Sequence, residues 1–148
     1  MHLLIPAAGS GSRMKAGKNK LLLNLNGEAI LYWTLKAVFL SEKVSWVGII
    51  GQPYDKSEII NSIKEFSNKI HWIKGGNTRQ ESVRNGVNNL PKNAMKVLIH
   101  DGARCLIKPE LIDKCFNELE DNDAVILAVK VTDTIKVVNE NRIIKETP

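Results

Sequence analysis

The residues of this 148-residue chain best suited to chemistry fall in three short segments, each following an apolar run. The first is Pro6-Ala7-Ala8-Gly9-Ser10-Gly11-Ser12-Arg13-Met14, continuing to Lys20. Glycines lack a Cβ, so backbone N–H groups can close around an anion there, and Arg13 and Lys20 add positive charge. Phosphate is the natural guest. The charge distribution agrees: Lys and Arg number 21 against 16 acids, a formal net charge of +5, and Arg13, Lys15, Lys18 and Lys20 all precede the first acid, Glu28. Two commoner glycine motifs do not fit. A dinucleotide fingerprint needs a third glycine where Met14 stands, and a Walker A loop needs four residues between its glycines, whereas Gly11 and Gly17 enclose five and Lys18 precedes Asn19. The plainer alternative is a solvated basic loop.

The second segment is Gly75-Gly76-Asn77-Thr78-Arg79-Gln80-Glu81-Ser82, in which Ser82, one turn into a helix, can turn its hydroxyl to a ligand. Its alternative is an ordinary helix start, since Thr78 and Glu81 have capping-box spacing. The third is His100-Asp101-Gly102-Ala103-Arg104, with an acid at the end of an apolar run. A carboxylate so placed suits Mg²⁺ or a ribose hydroxyl, and the alternative pairs Asp101 with Arg104 in a turn. His2, His71 and His100 have no metal-ligand spacing and read as structural. No Ser–His or Cys–His pairing suggests a side-chain nucleophile.

These segments need a scaffold that brings them together. Leu3-Leu4-Ile5, Trp46–Ile50, Ile70–Ile73, Val97–Ile99 and Ala124–Val129 read as strands. Between them, helical spacing over Glu28–Leu40 follows a turn at Gly27. A second helix begins at an Asp55/Glu58 capping signal and buries Ile59, Ile60, Ile63 and Phe66. A third starts at Thr78 and buries Val83, Val87 and Leu90. A fourth starts at Pro109 and buries Leu111, Ile112, Cys115, Phe116 and Leu119. This alternation predicts an α/β fold with an open, mostly parallel, doubly wound (Rossmann-like) sheet, whose ligands bind beyond the carboxyl ends of the strands. Thr134–Val138 and Arg142–Lys145 break the rhythm and read as an appended β-hairpin arm joined at Asn139-Glu140-Asn141. The expected organisation is a core over residues 1–131 and an arm over 132–148, with no separate second domain. The chain stops at Pro148 directly after a strand, and we expect a fragment of a longer protein.

Composition sets the outer limits. Hydrophobic residues make up 43% and charged residues 25%, proportions of a globular protein able to bury its own core. The longest apolar run, Ala124–Val129, is far short of the roughly 20 residues of a membrane span. The N-terminus lacks the pattern of a secretory signal, so the expected location is the cytoplasm, or the plastid stroma after processing. Two cysteines, Cys105 and Cys115, do not make a disulfide framework. Trp33, Trp46 and Trp72 read as packing residues, which with the localised basic charge argues against nucleic-acid binding.

In this order, Pro-Ala-Ala-Gly-x-Gly-x-Arg-Met with a lysine seven residues past the arginine, Gly-Gly-x-x-Arg-x-x-Ser and His-Asp-x-Ala-Arg resemble the sugar-phosphate cytidylyltransferases, specifically those acting on 2-C-methyl-D-erythritol 4-phosphate. The resemblance runs from residue 3 through the hairpin. It implies a nucleotide-diphospho-sugar transferase fold, CTP and a polyol phosphate as substrates, Mg²⁺ as cofactor, and a homodimer formed through the arm. Pro6, Ala7, Ala8, Gly9 and Gly11 would then line the nucleotide, with Arg13 and Lys20 on its phosphates as the catalytic cations. Gly76, Asn77 and Ser82 would face cytosine, Asp101 and Gly102 the ribose and the metal, and Arg104 the second substrate. Thr134 would reach toward a neighbouring subunit's substrate.

The pattern departs from the family at Asn19, where proline is common, and at Asn77, where an acid is common. The family's further substrate-binding arginine and C-terminal lysine would lie beyond Pro148. The alternatives are a ribitol-5-phosphate cytidylyltransferase and a non-catalytic nucleotide-binding module on the same fold.

Overall fold

The computed structural model describes residues 1–9 and 18–148. In chain order the elements are β1 (His2–Pro6), β2 (Asn24–Leu25), β3 (Glu28–Ala29), α1 (Ile30–Leu40), β4 (Trp46–Gly51), α2 (Lys56–Ser62), β5 (Ile70–Lys74), α3 (Arg79–Asn88), β6 (Val97–Ile99), α4 (Pro109–Glu118), β7 (Val137–Val138) and β8 (Ile144–Glu146). Short 3₁₀ turns cover Lys20–Leu22, Pro53–Asp55 and Lys64–Lys69.

Four strands form one parallel sheet in the order β5-β4-β1-β6. The chain moves outward from β1 through β4 to β5, then returns to lay β6 on the other side of β1. That reversal makes the gap between the ends of β1 and β6 the topological switch point, where an open α/β sheet binds its ligands. Both faces of β1 are covered, so Leu3, Leu4 and Ile5 are all fully buried, as a parallel-sheet strand requires. Leu3 and Ile5 join Val47, Ile49, Leu31, Leu35, Val38, Ile59 and Ile112 in the main core. Leu4 points the other way, into a smaller cluster with Ile50 and Ile73.

Several local expectations are corrected. The first helix starts at Ile30, because Glu28–Ala29 pairs with Asn24–Leu25 as a small hairpin. Its turn is Asn26-Gly27, with φ of 51° and 91°, the left-handed pair that two-residue hairpins favour. Asp55 precedes α2 but makes no cap, since its carboxylate accepts a hydrogen bond from Asn19 instead. α2 ends at Ser62, and Phe66 is buried from the following 3₁₀ turn. On α3 the buried residues are Ser82 and Gly86, whereas Val87 is exposed: the helix lies so close to the sheet that only small residues fit beneath it.

The largest departure is Ala124–Val129, which forms no strand; Ile126 and Val129 are 85% and 91% exposed. An apolar run becomes a buried strand only where a sheet edge and a covering layer both receive it. Among the described residues nothing pairs with the outer edge of β6, and Val125, Ile126 and Leu127 only rim a cavity of about 660 Å³ lined by Leu98, Ile99, Ile112 and Cys115. The hairpin is present, with strands shorter than expected. β7 and β8 form their own two-stranded sheet, and Arg142 belongs to the turn at φ 62°.

Candidate functional site

The loops that leave β1, β5 and β6 meet at the carboxyl edge of the sheet and enclose a cleft of about 520 Å³, within the range of small-molecule sites. Pro6, Ala7, Ala8 and Gly9 line it from β1, Gly76, Asn77 and Ser82 from the β5–α3 connection, Asp101 and Gly102 from the loop after β6, and Lys20 from the 3₁₀ turn. Ten of the residues expected from the sequence to bind nucleotide or catalyse thus share one cavity. Gly11 and Arg13 lie outside the described residues.

Each wall is fixed by backbone hydrogen bonds that extend the sheet. The Ala7 N–H donates to the Ile50 carbonyl at 2.7 Å, and the His100 N–H to that of Leu4 at 2.9 Å. The Gly75 N–H reaches the Gly51 carbonyl at 2.9 Å. A Cβ on Gly75 would lie 2.6 Å from that of Ala8, so glycine is what lets the first and second loops touch. The buried Thr34 hydroxyl on α1 donates to the Gly102 carbonyl at 2.7 Å and holds the third loop from beneath.

The second loop is braced internally. Ser82 is buried, and its hydroxyl accepts from the Gly76 N–H at 3.0 Å, so it supports the turn. Thr78 caps α3 by accepting from the Glu81 N–H at 3.0 Å, and the Glu81 carboxylate takes the Asn77 N–H at 2.7 Å. The segment is therefore a capped helix start that also lines the cleft.

Asp101 stands between two cations. Oδ1 accepts from Arg79 at 2.7 Å and Oδ2 from Arg104 at 3.1 Å. Partial burial pushes its carboxyl upward, but the hydrogen bonds and charges of Arg104 and Arg79 outweigh this and hold it below the ordinary aspartate value. The turn pairing with Arg104 is thus present together with the placement in the cleft. Arg104 itself lines the neighbouring 660 Å³ cavity and not the cleft, while Thr134 is exposed and lines neither cavity.

Among the described residues Asp101 is the only acid lining the cleft, and no group of three His, Cys, Asp or Glu could hold a metal. That donor set does not make a protein cage. It does suit Mg²⁺ carried on a substrate's phosphates, which typically takes only one or two carboxylates from the protein.

Asn19, Gln52, Tyr54 and Arg79 also line the cleft, and none of them has an expected role there from the sequence. Gln52 donates to the Gly76 carbonyl at 2.9 Å. Arg79 was visible inside the Gly-Gly-x-x-Arg motif, but only the fold shows that it reaches Asp101. Asn19 is 4% exposed and is bonded on all sides, which its position in a basic stretch does not suggest.

The family model described as 2-C-methyl-D-erythritol 4-phosphate cytidylyltransferase matches residues 1–148. A protein of that name from Prochlorococcus marinus (strain MIT 9515) is 70% identical over 148 residues, covering all of this chain and 66% of its own length. Its namesake from Crocosphaera subtropica is 54% identical over 151 residues, again with 66% of its length covered. The crystal structure of 4-diphosphocytidyl-2C-methyl-D-erythritol synthase from Anaerococcus prevotii superposes with a TM-score of 0.86 at 30% identity, over 99% of this chain and 62% of that one. The chain therefore spans 66% of the length of the curated relatives it matches.

Proposed function

The chain belongs to the 2-C-methyl-D-erythritol 4-phosphate cytidylyltransferase family, and from that premise we propose that it carries the nucleotide site of an enzyme that transfers CMP from CTP to 2-C-methyl-D-erythritol 4-phosphate. In this reaction a phosphate oxygen of the polyol phosphate attacks the α-phosphorus of CTP. The new P–O bond forms as the bond to the bridging oxygen breaks, and pyrophosphate leaves. The route served is non-mevalonate isoprenoid synthesis.

The observation that carries this reading is the convergence of Ala7–Gly9, Lys20, Gly76–Asn77 and Asp101–Gly102 on a single cleft at the switch point. The attacking group is already an anion, so no side-chain nucleophile is needed. Catalysis then rests on positioning and on cations aimed at the phosphate that gains charge. We assign that work to Lys20 and Arg13. Backbone N–H groups of the first loop hold the phosphates, the Gly76–Asn77 edge faces the base, and Asp101 faces the ribose. Bound Mg²⁺, with Asp101 as its protein ligand, would offset phosphate charge. Arg104 would meet the second substrate. The arm that ends in β7 and β8 would pair with a second copy and carry Thr134 toward the partner's site. A cytoplasmic location is part of the same proposal.

The test is pyrophosphate release by the full-length protein across the four ribonucleoside triphosphates and several polyol phosphates. The expected result is turnover with CTP and 2-C-methyl-D-erythritol 4-phosphate. Preference for ribitol 5-phosphate or another base, or CTP binding without turnover, overturns it.

A further inference from the structure

We propose that Asn19 is a positioning residue for Lys20, holding the lysine's backbone in place through its own buried amide. This rests on the reading of Lys20 as a cation that acts on the substrate's phosphates. Lysine is a compact charge on a flexible stem, so its usefulness depends on how firmly the chain beneath it is fixed. On its far side Lys20 is followed by Leu21 and Leu22, both buried in the core. On its near side the anchor is Asn19.

The Asn19 side chain ties three parts of the molecule together. Its Nδ2 donates to the Ala7 carbonyl at 2.8 Å, at the foot of the first loop. The same nitrogen donates to Oδ2 of Asp55 at 3.0 Å, just ahead of α2. Its Oδ1 accepts from the Leu21 N–H at 3.1 Å, capping the 3₁₀ turn, and its backbone carbonyl takes the Leu22 N–H at 3.0 Å. Both amide hydrogens are used and the residue is 4% exposed. A buried amide satisfied in this way strongly favours one geometry, because any other leaves polar groups unpaired. Asn19 thus sets the distance between the start of the loop at Ala7 and the backbone that carries Lys20. Asp55, which caps nothing, finds its role here as the outer support of that amide.

The experiment is a double-mutant cycle in the full-length protein, reading kcat with CTP and 2-C-methyl-D-erythritol 4-phosphate alongside the thermal midpoint. Asn19→Ala is expected to lower kcat roughly 10-fold by misplacing the lysine. In a Lys20→Ala background the same change is expected to leave kcat within about twofold, since there is no longer a charge to misplace. The fall in thermal midpoint is expected to be the same in both backgrounds. Should Asn19→Ala fail to fold, Asp55→Ala removes only one of the hydrogen bonds and is read in the same cycle, with a smaller fall in kcat that also disappears when Lys20 is absent. Equal kcat losses with and without Lys20 would mean a purely structural role and overturn the proposal, as would unchanged kcat in the single variants. Unchanged kcat in Lys20→Ala alone overturns the reading of Lys20 itself, and the proposal with it.

Discussion

Arg79 Nη2 donates to Asp101 Oδ1 at 2.7 Å, joining the first turn of α3 to the loop after β6 at the edge of the cleft that both residues line. The two residues come from different β–α connections, 22 positions apart, so the contact exists only because β6 returns to pair with β1. Arg104 holds the other carboxylate oxygen. Such exposed pairs contribute little to stability individually. Their larger effect is on the carboxylate, which is kept ionised and oriented at the switch point.

The Asp101 carboxyl is therefore expected to make acid unfolding locally visible. Because its folded-state value is depressed, its contribution is present above the unfolded value and is lost as pH falls through the folded one. Thermal melts of the parent protein and Asp101→Asn should differ at pH 7, and the gap should begin to narrow only below about pH 4 and keep shrinking as pH falls further. A gap of constant size down to about pH 2.5 would count against the pairing.

His100, next in the chain, titrates in a different window. Burial, the dominant cause, lowers its pKa, and the neighbouring positive charge of Arg104 adds to this; the Arg104 carbonyl and the Asp101 charge only partly offset them. Nε2 faces the Arg104 carbonyl at 3.2 Å, so the neutral ring carries its proton on that nitrogen. Charging the ring then favours the unfolded chain, and stability should decline as pH drops below about 6.5 toward the folded-state value. Urea midpoints between about pH 8 and pH 5 should show this decline in the parent and lack it in His100→Gln.

Lys20 is expected to matter for rate more than for stability, since it lines the cleft while the buried Leu21 and Leu22 hold the turn. Lys20→Ala should lower turnover of the full-length protein by on the order of 10²–10³, roughly 3–4 kcal/mol, the usual cost of removing one preorganised donor to a transition state. Steady-state rates with CTP decide it, and parent-like turnover would exclude Lys20 from the chemistry.

Much of this arrangement can be read from the chain because it depends on local pattern. Leu3-Leu4-Ile5 has no polar alternation and must be covered on both faces, which already requires a parallel sheet and places the following glycines at its carboxyl edge. Thr78 caps α3 because its partner is three residues away. Asp55 looks identical in sequence, yet its carboxylate is taken by Asn19, 36 residues distant, and no local rule contains that competitor. Ala124–Val129 has the composition of a buried strand, but burial depends on neighbours that a run of six residues does not specify. The Asn26-Gly27 hairpin was legible and was hidden by the strong helical spacing that follows it.

Gly86 gives a packing prediction that opposes intrinsic propensity. It sits inside α3, where replacing glycine by alanine ordinarily stabilises a helix by roughly 0.5–1 kcal/mol. Here the added Cβ would lie 2.5 Å from Ile50 Cδ1 and 3.0 Å from Leu4 Cδ1. Both side chains are fully buried in the sheet face beneath, so neither can swing aside, and overpacking of this kind typically costs about 1–3 kcal/mol. The steric cost exceeds the propensity gain. Gly86→Ala should therefore lower stability by about 1 kcal/mol, a fall of roughly 2–4 °C in a chain of this size. Because α3 also carries Arg79 and Ser82 at its first turn, its displacement should weaken CTP binding in the same variant. A raised melting temperature would mean that the helix has room to spare above Leu4 and Ile50.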